Sequence, residues 1–181
     1  MRATDHIASI DIPFEIALPS GERLHRSVYS HIVHGERSCL IDTGVAGSAG
    51  KVLELLEETC GKRCMPKAVL LTHTHPDHIG SASTLHGRYG IPIGCPAGEA
   101  AWIEDVDRQA RDRPVPGFKI LVEGSVPIDF RIEEGFEPAL DDERGCAKVL
   151  IALGFGSGAP NPLTLRTFRA HRRALADWPG R

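Results

Sequence analysis

The segment KAVLLTHTHPDHIG, residues 67–80, runs an uninterrupted apolar stretch straight into three histidines and an aspartate within six positions. A continuous apolar run of this kind, bounded by polar chain, reads as a buried strand. On an extended strand, residues two apart face the same side, so His73 and His75 can present their imidazoles to one point. Pro76 favours leaving the strand, and Asp77 and His78 then open a helix from which both can point back. Three imidazoles and a carboxylate form a borderline-to-hard donor set that suits zinc, and also iron or manganese. Four donors from one turn cannot surround a single ion tetrahedrally. They can divide across two ions about 3.5–4 Å apart. A hydrogen-bonded polar turn or a histidine-rich surface loop is the plain alternative, and the position directly behind a buried strand argues against it.

The flanking periodicities say what surrounds that strand. HIASIDIPFEIAL (6–18) is rich in β-branched residues and gives way to turn chemistry at Pro19–Glu22. Leu24–Gly35 alternates as a strand, GERS (35–38) turns again, and SCLIDTG (38–44) is a short apolar strand ending at Asp42, Thr43 and Gly44. Together these predict an antiparallel meander. The period then changes: Val52, Leu55, Leu56 and Thr59 fall at helical spacing, with Ser48 to cap the start and Gly61 to end the helix. After the histidine cluster, Ile79, Ala82 and Leu85 predict a helix stopped by Gly90, and IPIGC (91–95) predicts another strand. AGEAAWIEDVDRQARDR (97–113) predicts a mostly polar helix broken at Pro114, and from Phe118 onward short strands and turns are expected. Strands alternating with helices after a β-rich start predict a layered α/β fold with its active groups at strand ends.

Composition narrows the function classes. With 181 residues and 41% hydrophobic content, one domain with a sizeable core is expected. A net charge of −3 and a pI near 6.3 argue against a nucleic acid as the main partner. No stretch approaches the roughly 20 apolar residues of a membrane helix, and the N-terminal segment lacks the apolar run of a signal peptide. A cytoplasmic location is therefore expected. The five cysteines (Cys39, Cys60, Cys64, Cys95 and Cys146) are odd in number and irregularly spaced, which fits reduced thiols better than a disulfide framework. Cys60 and Cys64 have CxxxC rather than CxxC spacing and read as structural.

The sequence THTHPDHIG resembles the HxHxDH signature of the metallo-β-lactamase fold superfamily. LIDTG at Leu40–Gly44 resembles the aspartate-bearing strand end that precedes the first helix in that family. The two motifs stand in the right order, about thirty residues apart with a predicted helix between them, and the resemblance runs from about Ile10 to Lys148. It implies an α/β fold, an αββα sandwich with metals at the edge of its two sheets. It also implies one or two zinc ions, with His73 and His75 on the first and Asp77 and His78 on the second. Asp42 would steer a ligand histidine through a hydrogen bond. The chemistry implied is hydrolysis of a small ester or thioester by a metal-activated water, which Asp77 could orient, as in glyoxalase II-like members.

The same resemblance calls for a third histidine some tens of residues downstream, a bridging aspartate and a late histidine. Residues 87–170 contain no histidine, and His171 lies in a tail of different character. That tail comes after a Gly/Pro-rich break at Gly154–Pro162. Residues 161–181 carry a net charge of +4, which leaves the remainder at −7. The expected organisation is a metallo-β-lactamase-like domain over residues 1–153 with its second half incomplete, then an atypical segment over 154–181, as in a truncated or frame-shifted family member. The alternative function is that of a non-catalytic remnant that binds metal weakly, or associates with itself through uncovered sheet surface. His31, His34 and His171 are weaker ligand candidates, and His86 is expected to face solvent. GVAGSAG (44–50) lacks both the GK[ST] ending of a P-loop and the GxGxxG spacing of a dinucleotide fold.

Overall fold

A computed structural model describes residues 7–33, 38–61 and 65–133 of the chain. Strands β1 (Ile7–Ala17) and β2 (Arg23–Val33) pair antiparallel along their whole length, with Ile7 opposite Val33 and Ala17 opposite Arg23. The short strand β3 (Cys39–Ile41) continues the meander on the far side of β2, where Ile41 faces His31. From β3 the pairing becomes parallel: β4 (Ala68–Leu70), β5 (Ile93–Pro96) and β6 (Phe130–Ile132) are added in chain order to complete a six-stranded mixed sheet.

Parallel neighbours need crossover connections, and helices supply them. Helix α1 (Ala49–Cys60) links β3 to β4, and α2 (Pro76–Ile79) and α3 (Ala82–Tyr89) link β4 to β5. Helices α4 (Ala100–Ile103), α5 (Val106–Asp112) and α6 (Phe118–Leu121) precede β6. The main core lies between one sheet face and the helices, where Ile12, Ile32, Leu40, Val69 and Ile93 meet Val52, Leu56, Leu85 and Ile103. A smaller cluster on the other face contains Val33, Cys39, Ile41, Leu70 and Ile132. Burial on both faces is why Cys39–Ile41 and Ala68–Leu71 read as unbroken apolar runs rather than alternating ones.

The mixed sheet with helical cover is the α/β arrangement the sequence predicts, and several local expectations change. The stretch from Phe118 opens with the helical turn α6 rather than a strand, burying Phe118 and Leu121. The polar helix is two pieces, because Asp105 interrupts it and caps α5 by accepting a hydrogen bond from the Arg108 N–H at 2.9 Å. The helix after the cluster breaks at Gly80–Ser81. A Cβ on Gly80 would collide with the backbone of Val45 and Ala46 and with the Leu121 carbonyl. Ser48 makes no side-chain cap on α1, and its backbone N–H donates to Ser81 Oγ at 2.9 Å. Gly61 does end α1, donating its N–H to the Glu57 carbonyl. The expected second sheet, the boundary at residue 153 and the 154–181 segment lie outside the described residues. No helix among the described residues is long and apolar enough to cross a membrane.

Candidate metal centre

Ligands of open α/β sheets bind beyond the carboxyl ends of the strands, and β3 and β4 carry the candidate residues there. Strand β4 ends at Leu70, so His73 and His75 sit on the loop after the strand rather than on one extended face of it. That loop still brings their rings together. The His73 ring lies 4.5 Å from that of His75, edge-on, and 4.1 Å from that of His78, measured between centroids. His73, His78 and Asp77 are half-buried, whereas His75 is exposed, so the cluster opens to solvent on the His75 side. Asp77 lies in the first turn of α2, its Oδ2 3.9 Å from His78 Nε2.

Asp42 organises the cluster from below. It stands directly after β3, is 2% exposed, and is the one non-glycine among the described residues with a left-handed backbone (φ 58°), a conformation aspartate tolerates better than most residues. Its Oδ1 accepts the Thr72 N–H at 2.8 Å, and its Oδ2 accepts the Thr72 hydroxyl and His78 Nδ1, each at 2.8 Å. Thr72 Oγ1 also lies 2.9 Å from His73 Nδ1. A carboxylate only accepts, so the hydroxyl proton is committed to Asp42, and His73 Nδ1 must donate to Thr72 Oγ1. Asp42 thereby fixes the tautomer of two rings, His78 directly and His73 through Thr72. In both, Nδ1 carries the proton and Nε2 is left to act as the donor to a cation.

The two rings hold protons very differently. Burial pushes His73 down to about 4, helped by the neighbouring His78 and opposed by Asp42, so this ring is neutral at ordinary pH. Burial acts on His78 in the same direction but is outweighed. The hydrogen bond and charge of Asp42, with Asp77 adding, raise His78 above its usual 6.5. The loop is locked by further bonds: Thr43 donates both its N–H and its hydroxyl to the His78 carbonyl, at 2.7 and 3.0 Å, and His75 O accepts the N–H groups of His78 and Ile79.

In donor type and in hydrogen-bonded support, these residues fit zinc: imidazole nitrogens, the neighbouring Asp77 carboxylate, and the Asp42 carboxylate that holds the His78 N–H directly and the His73 N–H through Thr72. The side chains stop short of a finished cage. Among the described residues, no group of three or more His, Cys, Asp or Glu side chains stands gathered on a single ion position.

Other candidates separate from the cluster. His31 Nδ1 meets Ser9 Oγ at 2.8 Å, its ring stacks with Tyr29, and burial lowers its pKa, while the charges of Asp42 and His78 reach it from the adjacent strand end. His86 is half-buried, 3.5 Å from Asp129, rather than simply facing solvent. Cys60 packs against Ser38 Oγ at 3.2 Å. The 44–50 loop spends N–H groups within the protein, Gly47 on Glu123 and Ser48 on Ser81, as a structural turn does. His34, Cys64 and His171 lie outside the described residues. The sequence reading missed the linking role of Thr72, although a hydroxyl residue directly before His73 signals such a bond.

A mixed sheet with imidazoles and carboxylates gathered at the adjoining ends of β3 and β4 defines an α/β protein with a candidate metal centre. Residues 25–158 match the model of the metallo-beta-lactamase superfamily, and the chain belongs to that superfamily. It is 29% identical over 75 residues to the probable metallo-hydrolase YflN of Bacillus subtilis, covering 41% of this chain and 28% of that relative. It is 38% identical over 77 residues to a hydroxyacylglutathione hydrolase of Nitrosomonas europaea, covering 42% of this chain and 28% of that relative. The matches thus span less than a third of the length of these relatives. In structure it is similar to a metallo-beta-lactamase from Pontibacter korlensis, with a TM-score of 0.54 at 16% identity over 77% of this chain and 54% of that one, a likeness of fold.

Proposed function

We propose that this chain is a cytoplasmic, metal-dependent hydrolase that cleaves a small thioester or ester. His73 and His75 would hold one cation, Asp77 and His78 a second, with zinc the best match to the imidazoles and iron or manganese the alternatives. Such an ion, when bound, supplies a water ionised near neutral pH and polarises the carbonyl that is attacked. The chain's own residues do the positioning. Asp42 keeps Nδ1 of His78 protonated and, through Thr72, that of His73, so that Nε2 is the nitrogen each ring would offer a cation. Asp77, half-buried in the first turn of α2, would orient the attacking water or accept its proton. The exposed side at His75 is the approach for substrate. The thioester class draws support from the relatives named hydroxyacylglutathione hydrolase.

The observation that carries this reading is the contact of the His73 ring with both His75 and His78 above a single buried carboxylate. The test pairs metal content after purification with turnover of a chromogenic thioester. About two zinc ions per chain, with turnover abolished in His75→Ala, is the expected result. Sub-stoichiometric metal without turnover would support a second reading, a non-catalytic protein that binds metal weakly. That reading is favoured by the histidine-free stretch 87–170 and by the incomplete gathering of donors among the described residues.

A further inference from the structure

Helix α5 has seven residues, and the one it buries is polar: Gln109, 3% exposed. An amphipathic surface helix normally turns an apolar stripe inward. Val106 and Ala110 of α5 pack partly buried against the core, and the fully buried position beside them sends its amide across to the metal loop, Gln109 Nε2 donating to the Thr74 carbonyl, 35 positions away in the sequence. Gln109 Oε1 is buried and finds no hydrogen-bond partner among the described residues. An unpaired buried carbonyl costs stability that a leucine or methionine of similar size would not incur. Core packing therefore does not account for the residue, and its donated bond does.

The bond falls at an informative place. The Thr74 carbonyl belongs to the peptide joining Thr74 to His75, so fixing it fixes the direction in which His75 leaves the backbone relative to His73. The loop is tied on either side of that peptide. Leu71 and Thr72 donate to Gly94 O and Asp42 Oδ1, and His75 O accepts from His78 and Ile79. Between those anchors, Gln109 supplies the tie. Its helix is a firm platform, because Arg108 and Arg113 bracket the Trp102 ring at 4.6 and 4.1 Å and Ser125 Oγ accepts the Val106 N–H.

We infer that Gln109 is a positioning residue that sets the angle between the His73 and His75 imidazoles by holding the Thr74 carbonyl; this rests on the ligand reading proposed above. The test uses the full chain titrated with Co²⁺, whose visible absorption reports coordination geometry. Gln109→Leu and Gln109→Met are compared with wild type, and His75→Ala serves as the control for the ligand reading. Melting of each metal-free variant is measured by circular dichroism. Both Gln109 variants are expected to bind Co²⁺ about tenfold more weakly, with altered absorption bands, whichever way the melting temperature moves once the Thr74 carbonyl loses its donor. A side chain that merely supported the fold would lower the melting temperature and leave the bands in place. Unchanged affinity and bands in both variants, with binding lost in His75→Ala, would overturn the role of Gln109 alone. Wild-type binding in His75→Ala as well would instead remove the ligand reading beneath it.

Discussion

The two halves of the sheet are built to different rules. On the antiparallel side, β1 and β2 are eleven residues each and pair along their full length, with Ala8, Ile12, Val28 and Ile32 turned to the core. On the parallel side, β3 to β6 are only three or four residues long, and the loops leaving β3 and β4 are rich in polar side chains that are buried or half-buried and hydrogen-bonded to one another. The long hairpin gains stability from apolar area. The short strands end early so that Asp42, Thr72, His73 and His78 can meet at their tips. The lesson is a division of labour within one sheet, and it can be broken from either side.

The largest effect belongs to the hairpin. Ile32→Ala, which empties a position 1% exposed, should cost about 2–5 kcal/mol of folding stability in denaturant titrations while leaving the metal affinity of the folded fraction unaltered. On the opposite side, Asp42→Asn keeps shape and tolerates the left-handed backbone, but it removes the carboxylate that holds both imidazoles. Metal affinity measured by calorimetry should drop about 10–100-fold. If Asp42→Asn binds as wild type does, the parallel strand tips are not organised around that carboxylate.

The smallest effect is one of pH, and its sign is fixed by His78. Because its pKa is raised in the folded chain, the Asp42–His78 pair contributes stability that is fully present below 6.5 and lost as pH rises through the folded value. The melting temperature of the metal-free wild type should therefore exceed that of Asp42→Asn by more at pH 6 than at pH 9. A gap that widens toward alkaline pH would contradict the pairing.

Much of this was legible in the residues. Alternation in β1 and β2 and helical spacing in α1 mark elements whose burial is periodic, and the unbroken apolar runs mark strands covered on both faces. The metal candidates were legible as chemistry, because histidines spaced this closely behind a buried strand have few other uses. Their geometry was less so. His73 and His75 converge from a loop, held by bonds from Asp42 and Gln109 that span 30 and 35 positions, and no local pattern encodes such ties. The helical turn at Phe118–Leu121 was missed for the same reason: FKIL is apolar enough for a strand, and its burial against the core, rather than its propensity, decides the form.

The central claim, that His73 and His75 would hold one cation and Asp77 and His78 a second, is tested most directly by X-ray absorption at the zinc edge. Zinc-loaded protein passed through a desalting column should retain the metal, with nitrogen neighbours at about 2.0–2.1 Å and the outer scattering of at least two imidazoles. A spectrum of oxygen neighbours alone, or zinc lost on the column, would contradict it.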